Sequence, residues 1–260
     1  CLTANGQHSV AYFTQQCTAS NRITVRVYNN ERVILDGTST EIDTVSPNSN
    51  WTQCESATRC GSCTSGFTLS NYQRTFYSKT WNFSGAKTPQ MWIDPQCNDA
   101  DDAGCTDPSN TGTRLRWIYA GDNQGCAHLS LLDGACNNSW SSPACGTLDT
   151  YAIPNAIVAR LPDTVTNFDP DAHRVKISCQ EGTCANHVIK FSNARFIDVI
   201  GGGNLYIKYG YYGANLGDGT SDITIDGVRF FASGGRDYGQ CVRTGHANNI
   251  TVRNSICAEV

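Results

Sequence analysis

Two segments near the C-terminal end carry side chains suited to gripping a negatively charged sugar. They are "LYIKYGYYG" (205–213) and "CVRTG" (241–245). Side chains alternate across a strand, so an inward Ile207 sends Lys208 outward and an inward Val242 sends Arg243 outward. If both segments form the same face of consecutive turns of a stack, the two cations stand about 4.8 Å apart, one strand spacing. Arg229 points outward on the neighbouring face, with Tyr206, Tyr209, Tyr211, Tyr212 and Tyr238 close in sequence. Paired cations neutralise a carboxylate, tyrosine rings offer flat faces to sugars, and His246, just beyond Arg243, offers a general base. The plainer reading of the same residues is a basic surface that solvates a sheet.

A second cluster lies in "CNDADDAGC" (97–105), where Asn98, Asp99, Asp101 and Asp102 supply hard oxygen ligands within five positions. Calcium takes about six to eight oxygens, so backbone carbonyls or Asp107 would complete the set. The spacing is not that of an EF-hand, and an acidic turn pinned by a Cys97–Cys105 bridge is the alternative.

The elements that must position these groups show in the last ninety residues. "FIDVIGG" (196–202), "DITIDGV" (222–228) and "NITVRNS" (249–255) align Ile197, Ile223 and Ile250 at spacings of 26 and 27 residues. Alternate residues are apolar in each, and a Gly or Asn corner leads to a second short strand. "RVKIS" (174–178) fits one turn earlier, with Val175 and Ile177 lying 22 residues before Ile197 and Val199. Period-two strands, polar corners and this spacing describe a solenoid coil. Helical repeats would show a 3.6-residue period and leucine-rich repeats a Leu-x-Leu-x-x-Asn ladder; neither is present, which leaves a right-handed parallel β-helix, all-β in class.

"ITVRVYNNERVILDGT" (23–38) resembles the opening coil of pectate-lyase-like β-helix proteins, and "SDITIDGVRF" and "NNITVRNSIC" resemble their later coils. The resemblance covers roughly residues 20–38 and 174–260. It implies a polysaccharide partner and, for lyase members of the family, β-elimination on uronate polymers. There Lys or Arg on neighbouring coils, sometimes with calcium, neutralises the carboxylate and removes the proton. Family motifs are missing, however. "MWIDP" keeps only Trp92, Ile93 and Asp94 of Trp-Ile-Asp-His, and "RTGHANN" has Gly245 and His246 without the Gly that closes Gly-His-Gly.

The chain divides into a cap and first coil (1–38), a cysteine-rich β insertion (39–173) and stacked coils (174–260). Within the insertion, strands are expected at 90–94, 114–119, 128–134 and 155–162. A chain ending in the middle of a coil implies either that the protein continues past Val260 or that another subunit caps this end.

Composition narrows the function. A net charge of −4 provides no field for nucleic acid or an anionic membrane, and no apolar run is long enough to span a bilayer. Fourteen cysteines without paired zinc-ligand spacing indicate disulfides and an oxidising compartment. Short loops suggest Cys97–Cys105, Cys136–Cys145 and Cys179–Cys184, while Cys241–Cys257 would link successive segments. Cys1 is open to a bridge with Cys17 or to lipidation, any signal peptide having been removed. Sequons at Asn50, Asn82, Asn137 and Asn249 fit a secreted glycoprotein. The expectation is a secreted protein that binds or cleaves uronate-containing polysaccharide, with a non-catalytic structural rod as the alternative.

Overall fold

The computed structural model describes residues 9–38, 51–53, 75–78, 90–95, 106–117, 128–132, 156–161, 167, 169–178, 187–233 and 240–258. Among them there is no α-helix; strands and one 3-10 turn, Pro170–Ala172, account for the regular structure. No helix among the described residues is long and apolar enough to cross a membrane.

Two parallel sheets share one interior. Sheet 1 runs β1 (Ser9–Phe13), β11 (His187–Phe191), β13 (Tyr212–Leu216) and β15 (Gln240–Thr244) in that spatial order. Sheet 2 sets β2 (Ile23–Arg26) and β3 (Val33–Asp36) beside β12 (Arg195–Lys208), then β14 (Ser221–Phe231), then β16 (Asn248–Arg253) and β17 (Ile256–Ala258). The chain alternates between the sheets, so each pass adds one rung to both.

Like residues stack on like in register: Ile23, Ile197, Ile223 and Ile250 form one ladder, and Leu35, Ile207, Phe230 and Cys257 another. Ile197, Ile207, Ile223 and Phe230 are fully buried in a single cluster that also takes Val188, Phe191 and Leu216 from sheet 1. β-Branched and aromatic side chains suit this packing, because each fills the space above its neighbour's pleat. Two glycines are dictated by it. A Cβ on Gly201 would lie 2.5 Å from the Gly227 carbonyl oxygen, and one on Gly213 would lie 2.5 Å from the Phe230 ring. Cys241 and Cys257 are bridged, tying sheet 1 to sheet 2 on the outermost rung. Cys17, named above as a partner for Cys1, is a free thiol. The bridges expected at Cys97–Cys105, Cys136–Cys145 and Cys179–Cys184 lie outside the described residues.

Sheet 3 is a separate mixed sheet of seven strands, ordered β10 (Val175–Ser178), β6 (Gln90–Ile93), β7 (Thr113–Trp117), β8 (His128–Leu132), β9 (Ala156–Arg160), β5 (Thr75–Ser78) and β4 (Thr52–Gln53). The four strands expected between 90 and 162 are present as β6 to β9. β10 departs from expectation. Val175 and Ile177 pair antiparallel with Ile93 and Met91, and the rung below Ile197 and Val199 is instead Ile23 and Val25. The Val-x-Ile alternation of a stack strand also fits any half-buried strand. β10 is in fact buried along both faces, which marks a strand between two layers.

Sheet 3 covers the outer side of one half of sheet 2, the half that holds β3 and Leu205–Lys208. Thr38 Oγ1 donates to the Ile177 carbonyl at 3.1 Å and accepts from the Ile177 N–H at 2.9 Å. Lys176 Nζ donates to Asp36 Oδ2 at 2.7 Å, and the Tyr209 hydroxyl donates to the Thr111 carbonyl at 3.3 Å. Trp92 meets Tyr209 edge to face at 5.3 Å.

Candidate functional site

The covering layer overturns the expected arrangement of cations. Lys208 does face away from the stack interior, but sheet 3 closes over it and leaves it 0% exposed, its Nζ 5.2 Å from the centre of the Tyr209 ring. Its rung neighbours are Asp36 and Phe231, on sheet 2. Arg243 lies on sheet 1, where its neighbour is Asn215. The two cations are therefore not one strand apart, because β12 contributes both strands of a sheet 2 rung and the sheet 1 strand only begins at Tyr212.

The tyrosines are equally redistributed. Tyr206 and Tyr209 are buried, the first stacked on Phe231 beneath Arg229 and the second against Trp92. Tyr211 and Tyr212 are buried too and meet edge to face at 4.8 Å. None presents a bare ring for a sugar. Tyr238 lies outside the described residues, as do Asn98, Asp99, Asp101 and Asp102 and the sequons at Asn50, Asn82 and Asn137. Asp107, the expected helper in calcium binding, caps its own turn by accepting from the Ser109 N–H and hydroxyl, which holds its carboxyl below the usual range. Asn249 is exposed in the left-handed region at φ 51°, its amide donating to Asp222. His246 is 91% exposed in the turn after β15, with Nδ1 2.8 Å from Asp218 Oδ1.

What the fold does assemble is a polar face on sheet 1 around Arg243. In β11, β13 and β15 two consecutive residues face the interior: Val188 and Ile189, Gly213 and Ala214, Cys241 and Val242. The strand bends between them, so the residues on either side both turn outward. Two columns result. One stacks His187, Tyr212 and Gln240 on Ser9, and the other stacks Lys190, Asn215 and Arg243 on Tyr12.

The columns touch. His187 stacks on Tyr212 at 5.3 Å, and the Arg243 guanidinium lies 4.9 Å over the Tyr212 ring. Lys190 Nζ sits 5.4 Å over Tyr12. The Asn215 amide nitrogen is 3.4 Å from His187 Nε2, while His187 Nδ1 is buried with no hydrogen-bond partner among the described residues. Burial, joined by the charges of Lys190 and Arg243, pushes the His187 imidazole down to about 4. At neutral pH it is therefore an uncharged ring between two cations. Two positive charges on alternate rungs, an amide between them and a neutral imidazole alongside can hold a carboxylate and accept a proton.

His187, Lys190 and Asn215 stand outside the sequence expectation, which carried only Arg243 and Tyr212 to this face. The signal for them is a five-residue motif facing out, in, in, out, in: "HVIKF", "YGANL" and "QCVRT". Strict alternation does not detect it.

The outer face of sheet 2 is built differently, with Asp198 and Asp226 each paired to an arginine of a neighbouring rung. Arg22 grips Asp198 through two hydrogen bonds of 2.7 and 2.5 Å. Asp226 accepts from the Asn254 amide and from Arg253 Nε, each at 2.9 Å. The Arg22 guanidinium holds the Asp198 carboxyl below the usual range. Replacing Arg22 with alanine is expected to raise the Asp198 pKa towards the ordinary aspartate value while costing at most about 1 kcal/mol, as for exposed pairs generally. An NMR titration of the Asp198 carboxyl, read beside a urea melt, checks both.

Comparison with protein-family models, with curated proteins and with solved structures finds no match to this chain, so its function has to be argued from its own geometry.

Proposed function

We propose that this chain is a secreted right-handed parallel β-helix protein whose sheet 1 face binds uronate-containing polysaccharide. We further infer that the bound chain is cleaved there by β-elimination. The observation that carries the reading is the column Lys190, Asn215, Arg243 beside an uncharged, half-satisfied His187.

A polymer lying along the stack axis would cross successive rungs of this column. Lys190 and Arg243 neutralise a sugar carboxylate, which acidifies the hydrogen on the carbon bearing it. His187 Nε2 takes that proton, the bond to the neighbouring glycosidic oxygen breaks, and a carbon–carbon double bond forms. The departing oxygen takes a proton from solvent, and the imidazolium returns its own. Before binding, both cations oppose protonation of His187. A bound carboxylate offsets them, so substrate itself makes the imidazole a better base.

The bridge between Cys241 and Cys257 supports an oxidising compartment outside the cytosol. Calcium joins the reading only through the acidic segment at 98–102.

The test is a screen of pectate, alginate and glycosaminoglycans for binding and for the ultraviolet absorbance of an unsaturated uronate product. Lys190→Ala and Arg243→Ala are each expected to weaken binding about tenfold, the worth of one charge-assisted hydrogen bond. Lys208→Met should leave the affinity of the folded protein unchanged. Equal loss in all three variants would sink the assignment of the sheet 1 face.

A rigid structural rod is the second reading. It is favoured by the outer face of sheet 2, where Arg22–Asp198 and Arg253–Asp226 ion pairs staple rung to rung. Binding without turnover across the whole screen would favour it.

A further inference from the structure

The corners of sheet 2 differ in length from rung to rung. Six residues (27–32) separate β2 from β3, four (201–204) separate the two halves of β12, and Gly227 alone separates those of β14. The longer corners stand out beyond the shorter one and enclose an open concavity of about 320 Å³. That is the lower end of small-ligand sites, about 300 Å³ upward.

Its lining combines three chemistries. Arg26, at the end of β2, is exposed and makes no ion pair among the described residues. Tyr28 is 70% exposed, the barest of the large apolar side chains described. Asn29 and Asn30 add amides from a turn in the left-handed region, at φ 45° and 59°. The rim is held in place: the Asn204 amide donates to the Asn30 carbonyl at 3.0 Å, and the Glu31 N–H donates to the Tyr28 carbonyl at 2.8 Å. The floor is open, since a Cβ on Gly202 would meet nothing within 4 Å. At one edge Arg229 brings its guanidinium to 3.8 Å from where a Cβ of Gly203 would lie.

We propose that this concavity is a second saccharide site, which takes one carboxylate-bearing pyranose. The guanidinium fork matches a carboxylate, the tyrosine face matches the C–H face of a sugar ring, and the asparagine amides match its hydroxyls. A single inorganic anion would use the arginine and leave the ring idle. A neutral sugar would leave the arginine idle. The site lies on sheet 2 and does not depend on the reading of sheet 1.

Calorimetric titration of the whole chain with methyl glucuronide, methyl glucoside and acetate tests it. Methyl glucuronide should bind at millimolar concentration, with the other two about tenfold weaker or worse, one charge-assisted contact's worth. Arg26→Gln should lose about tenfold, Tyr28→Ala should lose affinity as well, and Gly202→Asn, which tolerates the backbone and fills the floor, should abolish binding. In a Lys190→Ala, Arg243→Ala background, which removes the two cations proposed to bind at sheet 1, methyl glucuronide binding should persist and should be lost on adding Arg26→Gln, which keeps the two sites separable. Acetate binding as tightly as methyl glucuronide, binding untouched by Arg26→Gln, or no binding at millimolar ligand would each overturn the proposal.

Discussion

Phe230→Ala is expected to destabilise the protein by about 3–5 kcal/mol, the range for truncating a buried aromatic. Phe230 is buried in the interior, on the ladder that runs through Leu35, Ile207 and Cys257, with its ring against the position of Gly213. Truncation removes the ring's burial and leaves a cavity that both sheets are too constrained to close. The parallel hydrogen bonds fix the rung spacing, and the bridge from Cys257 to Cys241 holds the flanking strands. Val252→Ala on the outermost rung provides the contrast. Val252 is 44% exposed, so its loss should cost well under about 1 kcal/mol. Urea unfolding of both variants checks the pair. Comparable costs would mean that Phe230 does not occupy a closed interior, and that its ladder with Leu35, Ile207 and Cys257 is out of register.

The second large effect is a dependence of stability on pH that comes from His187. Its folded-state pKa is depressed from 6.5 to about 4, by burial first and then by Lys190 and Arg243. Above pH 6.5 the imidazole is neutral whether the chain is folded or not, so it contributes no pH dependence there. Between 6.5 and about 4 the unfolded chain takes up the proton while the native ring resists it. Stability therefore falls as pH drops through that window, by up to about 3 kcal/mol in total. Below about 4 both forms are protonated and the contribution levels off. His187→Gln should flatten the slope of unfolding free energy between pH 6.5 and 5, where few carboxylates yet titrate. An unchanged slope would show that His187 is no more buried than an ordinary surface histidine. Saturating uronate oligosaccharide, if it binds against Lys190 and Arg243 as proposed, should raise the His187 pKa, which NMR titration of the ring reads directly.

Much of the stack was legible in the chain itself. The ladder Ile197, Ile223, Ile250 appears in the structure with the pairing that the spacing implied, and so does the Cys241–Cys257 bridge. Repeating strands announce themselves because every rung must place the same kind of side chain at the same interior position. Three things were not legible. The partner of Ile197 in the preceding rung is Ile23, across an insertion whose own strand β10 carries the same Val-x-Ile alternation. Of the sheet 1 strands only β15 was anticipated, as "CVRTG"; the others escaped notice because two adjacent inward residues break the period of two. Lys208 was assigned to solvent because alternation fixes only which side of its own strand a residue takes.

The class of structure is written in the chain's local pattern: parallel β ladders, their inward residues, their corners and one staple between them. Those follow from local rules, since the pleat and the rung repeat act within a few residues or between equivalent ones. Which outward residues meet water, and which cations share a face, was decided only by tertiary structure. Lys208 and Arg243 are equally outward on their strands, yet sheet 3 buries the first, while the second joins Lys190 and His187 on a face that strict alternation does not connect. Exposure depends on what another part of the chain lays over a surface, and that information is held in neither residue's own neighbourhood.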